Sequence, residues 1–300
     1  MPKVVCPACA SGDVGKLCSP SVSGYYYYMC KGCELVFSEP MKGAGKEWYE
    51  RSEWYDLPEK VLENLRWYER TIIHEDFMLG KKRVLNVGCG RNVFLKKLKE
   101  MNCEVTAVDI SERVIEFTRN TLGIKDAHVG DILEFMRHYG RGKFDVIVSF
   151  EVLEHLEDPG TFIRRLKDLM NEDGRTVLSV PNRERIMPSK DVWDYPPHHL
   201  TRWNVRCLRN LLEGSGFLVE KIVISPLSAE DLLAVFRLYF GTRFLENRIK
   251  GGDRSPLIAF AFRALFKLRV VFYNILAVIG RSFTRTKGLN IYAVARLKVL

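Results

Sequence analysis

Lys82-Arg83-Val84-Leu85-Asn86-Val87-Gly88-Cys89-Gly90-Arg91-Asn92 decides how the rest of this 300-residue chain is read. A short apolar run of strand type stops at two glycines spaced one apart, and Val93-Phe94-Leu95-Lys96-Lys97-Leu98-Lys99 then takes up a helical period. Such a unit brings a ligand against bare backbone at the carboxyl end of a strand, because glycine has no side chain in the way. A dinucleotide fingerprint would need a third glycine where Val93 stands, and a side chain there would crowd a pyrophosphate on the helix end. That argues against NAD. Glu104-Val105-Thr106-Ala107-Val108-Asp109 reads as a second strand ending in an acid, about 20 residues on, where a carboxylate can accept hydrogen bonds from both ribose hydroxyls. The expected ligand is a nucleoside, with no need for phosphates.

Two more strands extend the pattern. One ends at His128-Val129-Gly130-Asp131-Ile132, and another, Phe144 to Phe150, runs into Glu151-Val152-Leu153-Glu154-His155-Leu156 as the start of a helix. In order and spacing these four segments resemble class I S-adenosylmethionine-dependent methyltransferases, over roughly residues 80 to 225 with a closing strand near the C-terminus. The resemblance implies an α/β fold built on a Rossmann-like seven-stranded sheet. It implies that Gly88, Cys89 and Gly90 lie against the methionine end of S-adenosylmethionine and that Asp109, with Ile110 beside it, holds the ribose. Asp131 with Ile132 would address adenine, and Phe150 and Glu151 would close the site. Two positions depart from the family pattern. Asn86 replaces the customary acid of the first strand, which bears on affinity more than on reaction type. Asn92 stands where glycine is common, and since asparagine tolerates left-handed backbone the turn is expected to survive.

The N-terminus carries a second signal. Cys6-Pro7-Ala8-Cys9 and Cys30-Lys31-Gly32-Cys33 are two C-x-x-C turns about 20 residues apart, the spacing of a tetrahedral zinc site on four thiolates. With the strand-prone run Tyr25 to Met29 between them, they read as a zinc ribbon whose structural ion leaves no open ligand position. A redox reading needs only one C-x-x-C beside a βαβ unit and fits less well. Cys18, Cys89, Cys103 and Cys207 are scattered without a disulfide pattern, and no apolar leader with a cleavage site opens the sequence, so a reducing cytoplasm is expected.

Between ribbon and core, Val61, Leu62, Leu65, Tyr68 and Ile72 or Ile73 approximate a helical stripe that would pack against the first core strand. Trp48, Tyr49, Trp54 and Tyr55 are candidates to cover the cofactor and offer stacking faces to an acceptor. Past the fifth strand, Arg175 to Asn182, a loop of about 20 residues from Arg183 to Thr201 carries Trp193, Tyr195, Pro196, Pro197, His198 and His199, and loops of that length tend to be functional. Methyl transfer from a sulfonium needs an in-line nucleophile and a group to take its proton, and an imidazole suits an alcohol, phenol or carbon acid. Related enzymes with a similar Pro-x-His-His-Leu segment turn a histidine to the pocket. His199 is the first candidate for the base, His198 the second, and His155, placed one turn into the helix after strand four, the third.

Apolar residues make up 47% of the chain, enough for a substantial core. The net charge is +9, and the thirteen basic against four acidic side chains from Pro226 onward account for an excess of that size. That segment therefore points to an acidic partner. Within it Pro256 to Gly280 is almost wholly apolar, with Arg263, Lys267 and Asn274 on one side, a pattern for a helix lying in an anionic membrane surface or packed as a lid. Leu289 to Leu297 reads as a seventh strand returning to the sheet, which a single membrane crossing would forbid.

The expected organisation is a zinc ribbon at 1–45, an aromatic helical lead-in at 46–80, the cofactor-binding core at 81–225, a basic helical insertion at 226–288 and the last core strand at 289–300. The expected activity is methylation of a small or lipid-linked acceptor, a sugar or glycan intermediate by similarity to zinc-ribbon methyltransferases of bacterial polysaccharide pathways. A quinone-precursor O-methyltransferase is the alternative. An RNA-binding or RNA-modifying protein is a reading from another class. It is disfavoured, with no nucleic-acid partner expected, because the basic residues accompany apolar helices and Pro181-Asn182 lacks the Pro-Pro-Tyr type motif of base methylation.

Overall fold

The computed structural model describes residues 4–17, 24–51, 64–139, 144–185, 194–227 and 288–298. By its contacts the chain forms two compact units: Met1–Arg183, Ser189–Val223 and Asn290–Leu300 make one, Glu184–Pro188 and Ile224–Leu289 the other. The expected helix at 256–280 lies outside the described residues, as do Cys18, Trp54, Tyr55, Val61, Leu62 and Trp193. Among the described residues no helix is long and apolar enough to cross a membrane.

The first unit is built on two sheets. In the N-terminal region β1 (Val14–Lys16), β2 (Tyr26–Cys30) and β3 (Val36–Glu39) pair antiparallel in sequence order. The core sheet contains β4 (Arg83–Val87), β5 (Glu104–Asp109), β6 (Ala127–Val129), β7 (Phe144–Phe150), β8 (Met170–Pro181), β10 (Phe217–Ile224) and β11 (Asn290–Leu297). Its order is β10-β11-β8-β7-β4-β5-β6, seven strands as expected. β4 pairs parallel with both β5 and β7, and β11 runs antiparallel beside β8.

Sequence dictates this arrangement locally. Parallel strands covered on both faces read as continuous apolar runs, and Val84, Leu85 and Val87 are indeed buried. Each such side chain contributes about 1.5 to 3 kcal/mol by leaving water. The helix Phe94–Glu100 buries Phe94, Leu95 and Leu98 and leaves its lysines outside. Ser111 caps the helix Glu112–Asn120 through Val114, and Asp158 caps Pro159–Leu169 through Thr161. The lead-in helix Trp67–Ile72 buries Tyr68 and Ile72 in the cluster that holds Phe94, Val84 and Tyr292, so the described part of the stripe packs on the core.

Three local expectations change. Asn92 is not among the described positive-φ residues. Its Oδ1 accepts the N–H of Phe94 at 2.9 Å and its Nδ2 donates to the carbonyl of Cys89 at 3.1 Å, so it works as an Asx turn and not as a glycine substitute. Leu153–His155 is one turn of 3₁₀ helix, and the α-helix begins only at Pro159. His155 therefore sits on a loop, since Asp158-Pro159 restarts the helix later. β8 begins at Met170, earlier than Arg175, because the chain leaves Leu169 directly in extended conformation.

The long loop after β8 does something its composition did not disclose. Its end, β9 (Thr201–Arg202), adds antiparallel to β3 as a fourth strand of the N-terminal sheet.

Candidate functional site

The strand order places the site. From β4 the chain steps outward to β5 and β6, then returns to β7 on the other side of β4, so the carboxyl ends of β4 and β7 flank a topological switch point. Gly88 to Gly90 leave β4 there, and Glu151 leaves β7. Gly88 (φ +70°) is required twice: its backbone is left-handed, and a Cβ would overlap Cγ2 of Val152. Among the described residues Gly90 (φ +57°) has nothing within 4 Å of where a Cβ would stand, so here glycine leaves open space. Its N–H donates to Asp109 Oδ2 at 2.9 Å, and that of Ser111 to Oδ1 at 3.0 Å. Burial raises the Asp109 carboxyl to about 6 against these two backbone donors. Cys89 turns its thiol inward to Thr118 and so offers a ligand only backbone.

Asn86 is buried near the end of β4, and its Oδ1 has no hydrogen-bond partner among the described residues. An orphaned acceptor beside an open glycine turn suits a ligand that brings its own donors. Asp131 and Glu134 exchange backbone and side-chain bonds at 2.8 and 2.9 Å, fixing the turn with Asp131 exposed and Ile132 buried. Ile110, half-buried, follows Asp109 directly.

Phe150 lies among Tyr68, Phe94 and Tyr292, with ring centroids 4.7, 5.7 and 6.5 Å away. Glu151 is left-handed (φ +54°), and its carboxylate accepts from Ser179 at 2.8 Å and Asn290 at 3.0 Å while burial raises its pKa. A non-glycine residue held at positive φ by its neighbours marks functional strain more often than chance.

All three candidate histidines meet. One ring nitrogen from each of His155, His198 and His199 lies within 4.8 Å of the others. His155 Nδ1 is 2.9 Å from the His198 carbonyl, and His199 Nδ1 is 3.0 Å from Asp194 Oδ1. Burial lowers His155 well below the ordinary imidazole range and His198 to about 4. Trp48 and Tyr49, on the helix Lys46–Arg51, cover this cluster: Trp48 lies 4.7 Å from the His198 ring and Tyr49 6.1 Å, edge-on, from His155. The same helix reaches the start of the helix Glu112–Asn120, where Glu50 accepts from Ser111 Oγ at 3.1 Å and from the Glu112 N–H at 2.6 Å.

Glu154 was not singled out from sequence. It is 1% exposed, neither carboxyl oxygen has a hydrogen-bond partner among the described residues, and burial raises its pKa well above the carboxylate range. Asp194 was missed too. The signals were available, an acid next to His155 and another five residues before His199, but nothing in a linear pattern distinguishes them from solvated charges.

The N-terminal cysteines form one cluster. Cys6 and Cys33 approach to 3.5 Å between sulfurs, as do Cys9 and Cys30, and all four Sγ atoms lie within 4.8 Å. The Cys33 thiol beside Cys6 holds the latter down at about 5. Four converging sulfurs at these separations suit a tetrahedral ion with bonds of about 2.3 Å.

Residues 54–222 match the family described as Methyltransferase domain, more than half of the chain, and the protein belongs to that family. It is 31% identical over 144 residues to a ubiquinone biosynthesis O-methyltransferase of Aromatoleum aromaticum, covering 47% of this chain and 59% of the relative. It is 33% identical over 117 residues to the mitochondrial enzyme of that name from Schizosaccharomyces pombe, covering 37% and 42%. The chain thus spans about half the length of the curated relatives it matches. Among solved structures, an S-adenosylmethionine-dependent methyltransferase from Archaeoglobus fulgidus superposes with TM-score 0.52 at 18% identity, covering 81% of this chain and 96% of that one. A phosphoethanolamine N-methyltransferase from Haemonchus contortus gives 0.55 at 14%, covering 85% and 60%. These superpositions establish the methyltransferase fold.

Proposed function

We propose that the protein transfers the methyl group of S-adenosylmethionine to a hydroxyl of a small acceptor, with a quinone-precursor phenol ahead of a sugar. The relatives named above are ubiquinone-pathway O-methyltransferases, which supports the quinone alternative better than the expected glycan intermediate. The reading is supported by two sets of groups, an open glycine turn with Asp109 and Asn86 at the ends of β4 and β5, and an imidazole cluster under Trp48 and Tyr49.

S-adenosylmethionine, when bound, supplies an electrophilic methyl group on a sulfonium. Gly88 to Gly90 would hold its amino-acid end by backbone, with the orphaned Asn86 Oδ1 free to accept from an ammonium, and Asp109 would hold the ribose. Asp131, Ile132 and Phe150 would border the adenine and the rear of the site. On the acceptor side, His199 is the base: the Asp194 carboxylate accepts from Nδ1–H, which leaves the Nε2 lone pair for the hydroxyl proton. His199→Ala is expected to leave cofactor affinity intact and lower turnover by about 10² to 10⁴. A variant with parental turnover would assign the proton to another group.

The four-cysteine cluster is proposed to hold one structural zinc ion, supported by its converging thiols. The acceptor class is tested by offering hydroxylated benzoquinol precursors and nucleotide sugars with methyl-labelled cofactor. Label in the phenols and not in the sugars is expected; label only in the sugars would reverse the order.

A further inference from the structure

We infer that Arg202 is a positioning residue for the proposed reaction: lying over one tyrosine of the N-terminal sheet and one of the acceptor loop, it holds both residues that set the His199 ring. The inference rests on the reading of His199 as the base and goes beyond it, since it gives the N-terminal sheet a share in the acceptor side.

His199 is fixed twice. Its Nδ1 meets Asp194 Oδ1 at 3.0 Å, and its backbone N–H donates to the Tyr195 carbonyl at 3.2 Å. Arg202 reaches both anchors. Its Nη2 donates to the main-chain carbonyl of Asp194 at 2.9 Å, and its guanidinium carbon lies 4.7 Å from the centroid of the Tyr195 ring. The same carbon lies 4.9 Å from the centroid of Tyr27, on β2. Strand register brings this about. Arg202 pairs with Val36 on β3, and Val36 with Met29 on β2, so Arg202 shares a face with Met29 and with Tyr27 two residues earlier.

The side-chain types fit the task. Nε of Arg202 is buried without a hydrogen-bond partner among the described residues, a costly state that the electron-rich ring faces offset. A planar guanidinium can lie on ring faces and still donate from its edge to a carbonyl, whereas an ammonium is a compact point charge that keeps its water. Tyr27 is 3% exposed, and its hydroxyl has no hydrogen-bond partner among the described residues. What it contributes is therefore its ring. Because β2 ends at Cys30, one strand carries both a member of the four-cysteine cluster and a support for the acceptor loop.

The test compares the full-length parent with Arg202→Lys, Tyr27→Leu and Tyr27→Phe, all with parental circular dichroism. The first readout is the downfield proton resonance of the His199 Nδ1–H held by Asp194, identified by its disappearance in His199→Ala. The parent and Tyr27→Phe should show it, and Arg202→Lys and Tyr27→Leu should lose it to solvent exchange. The second is methyl transfer to whichever phenol or sugar the parent labels. Arg202→Lys and Tyr27→Leu should lower kcat by about 10- to 100-fold, the scale of a misplaced reacting group, and change KM for the acceptor and affinity for S-adenosylmethionine far less. Tyr27→Phe should restore parental turnover, which a general loosening of the sheet would not predict. A parent without a His199-dependent resonance overturns the inference, as does a resonance retained in both Arg202→Lys and Tyr27→Leu, or one lost equally in Tyr27→Phe. A parent that labels no acceptor counts against the proposed function instead, because the resonance scores Arg202 without any turnover.

Discussion

Gly88 and Gly90 are two residues apart and both left-handed, yet their side-chain space differs, and so should their variants. Gly88→Ala adds a Cβ into Val152, and strain plus overlap should cost about 2 to 4 kcal/mol of stability, read as an earlier thermal transition. Gly90→Ala meets no protein atom and should cost only about 1 to 2 kcal/mol for its backbone. Its effect belongs in cofactor affinity, because the new methyl would stand in the ligand's space. Asp109 gives a pH signature. Burial raises its folded-state pKa from 3.8 to about 6, so folding favours the protonated form. That contribution is present in full below about pH 4 and is lost as pH rises through about 6, after which the buried charge is a cost of about 2 to 3 kcal/mol. Asp109→Asn should therefore stabilise the ligand-free protein at pH 8 and change little at pH 4, as followed by urea unfolding at both values. Cofactor affinity should move the other way in the parent, falling below about pH 6 as the acceptor carboxylate is protonated.

At the scale of elements, β9 ties the two sheets together. Phe37 pairs with Thr201 and Val36 with Arg202, the Ser38 N–H donates to the Leu200 carbonyl at 2.8 Å, and the Leu200 N–H to the Glu154 carbonyl at 2.8 Å. Next to the second knuckle, Glu34 receives Arg206 at 2.5 Å and Asn204 at 3.1 Å. The cysteine cluster thus lies next to β3, whose partner β9 closely follows His198 and His199. Cys33→Ser is expected to lose the zinc, shown by metal analysis, and to lower turnover while cofactor affinity stays near parental, since Gly88, Gly90 and Asp109 depend on β4 and β5 instead. Zinc retained in full would discard the four-thiolate site.

What could be read from the chain follows the range of the forces involved. β4 and its glycines were legible because a buried parallel strand is mostly apolar and a left-handed turn favours glycine. The cysteine pairs were legible because coordination chemistry fixes their spacing. The pairing of β9 with β3 was not, because two residues carry no period and their partners lie more than 160 positions away in sequence. Asn92 departs from the expected left-handed role because asparagine serves a turn by its side chain as readily as by its backbone, and only the hydrogen bonds tell which. Glu154 and Asp194 stayed hidden because burial of an acid leaves no mark in a linear pattern. The three histidines stand out in the sequence, yet their meeting depends on two loops whose approach only the fold supplies.

As a whole, the molecule is a methyltransferase-family core in which β4 and β5 carry the glycine turn and Asp109 while loops beside the N-terminal sheet carry the three histidines. The proposed function depends first on S-adenosylmethionine binding at the glycine turn and Asp109. Isothermal titration of the full chain with S-adenosylmethionine at pH 7.5 tests that directly. The account predicts one equivalent bound by the parent and an affinity lower by about 2 kcal/mol or more for Asp109→Ala, as expected when hydrogen bonds to an ionised group are lost. No binding by the parent, or equal affinity in the two proteins, would contradict it.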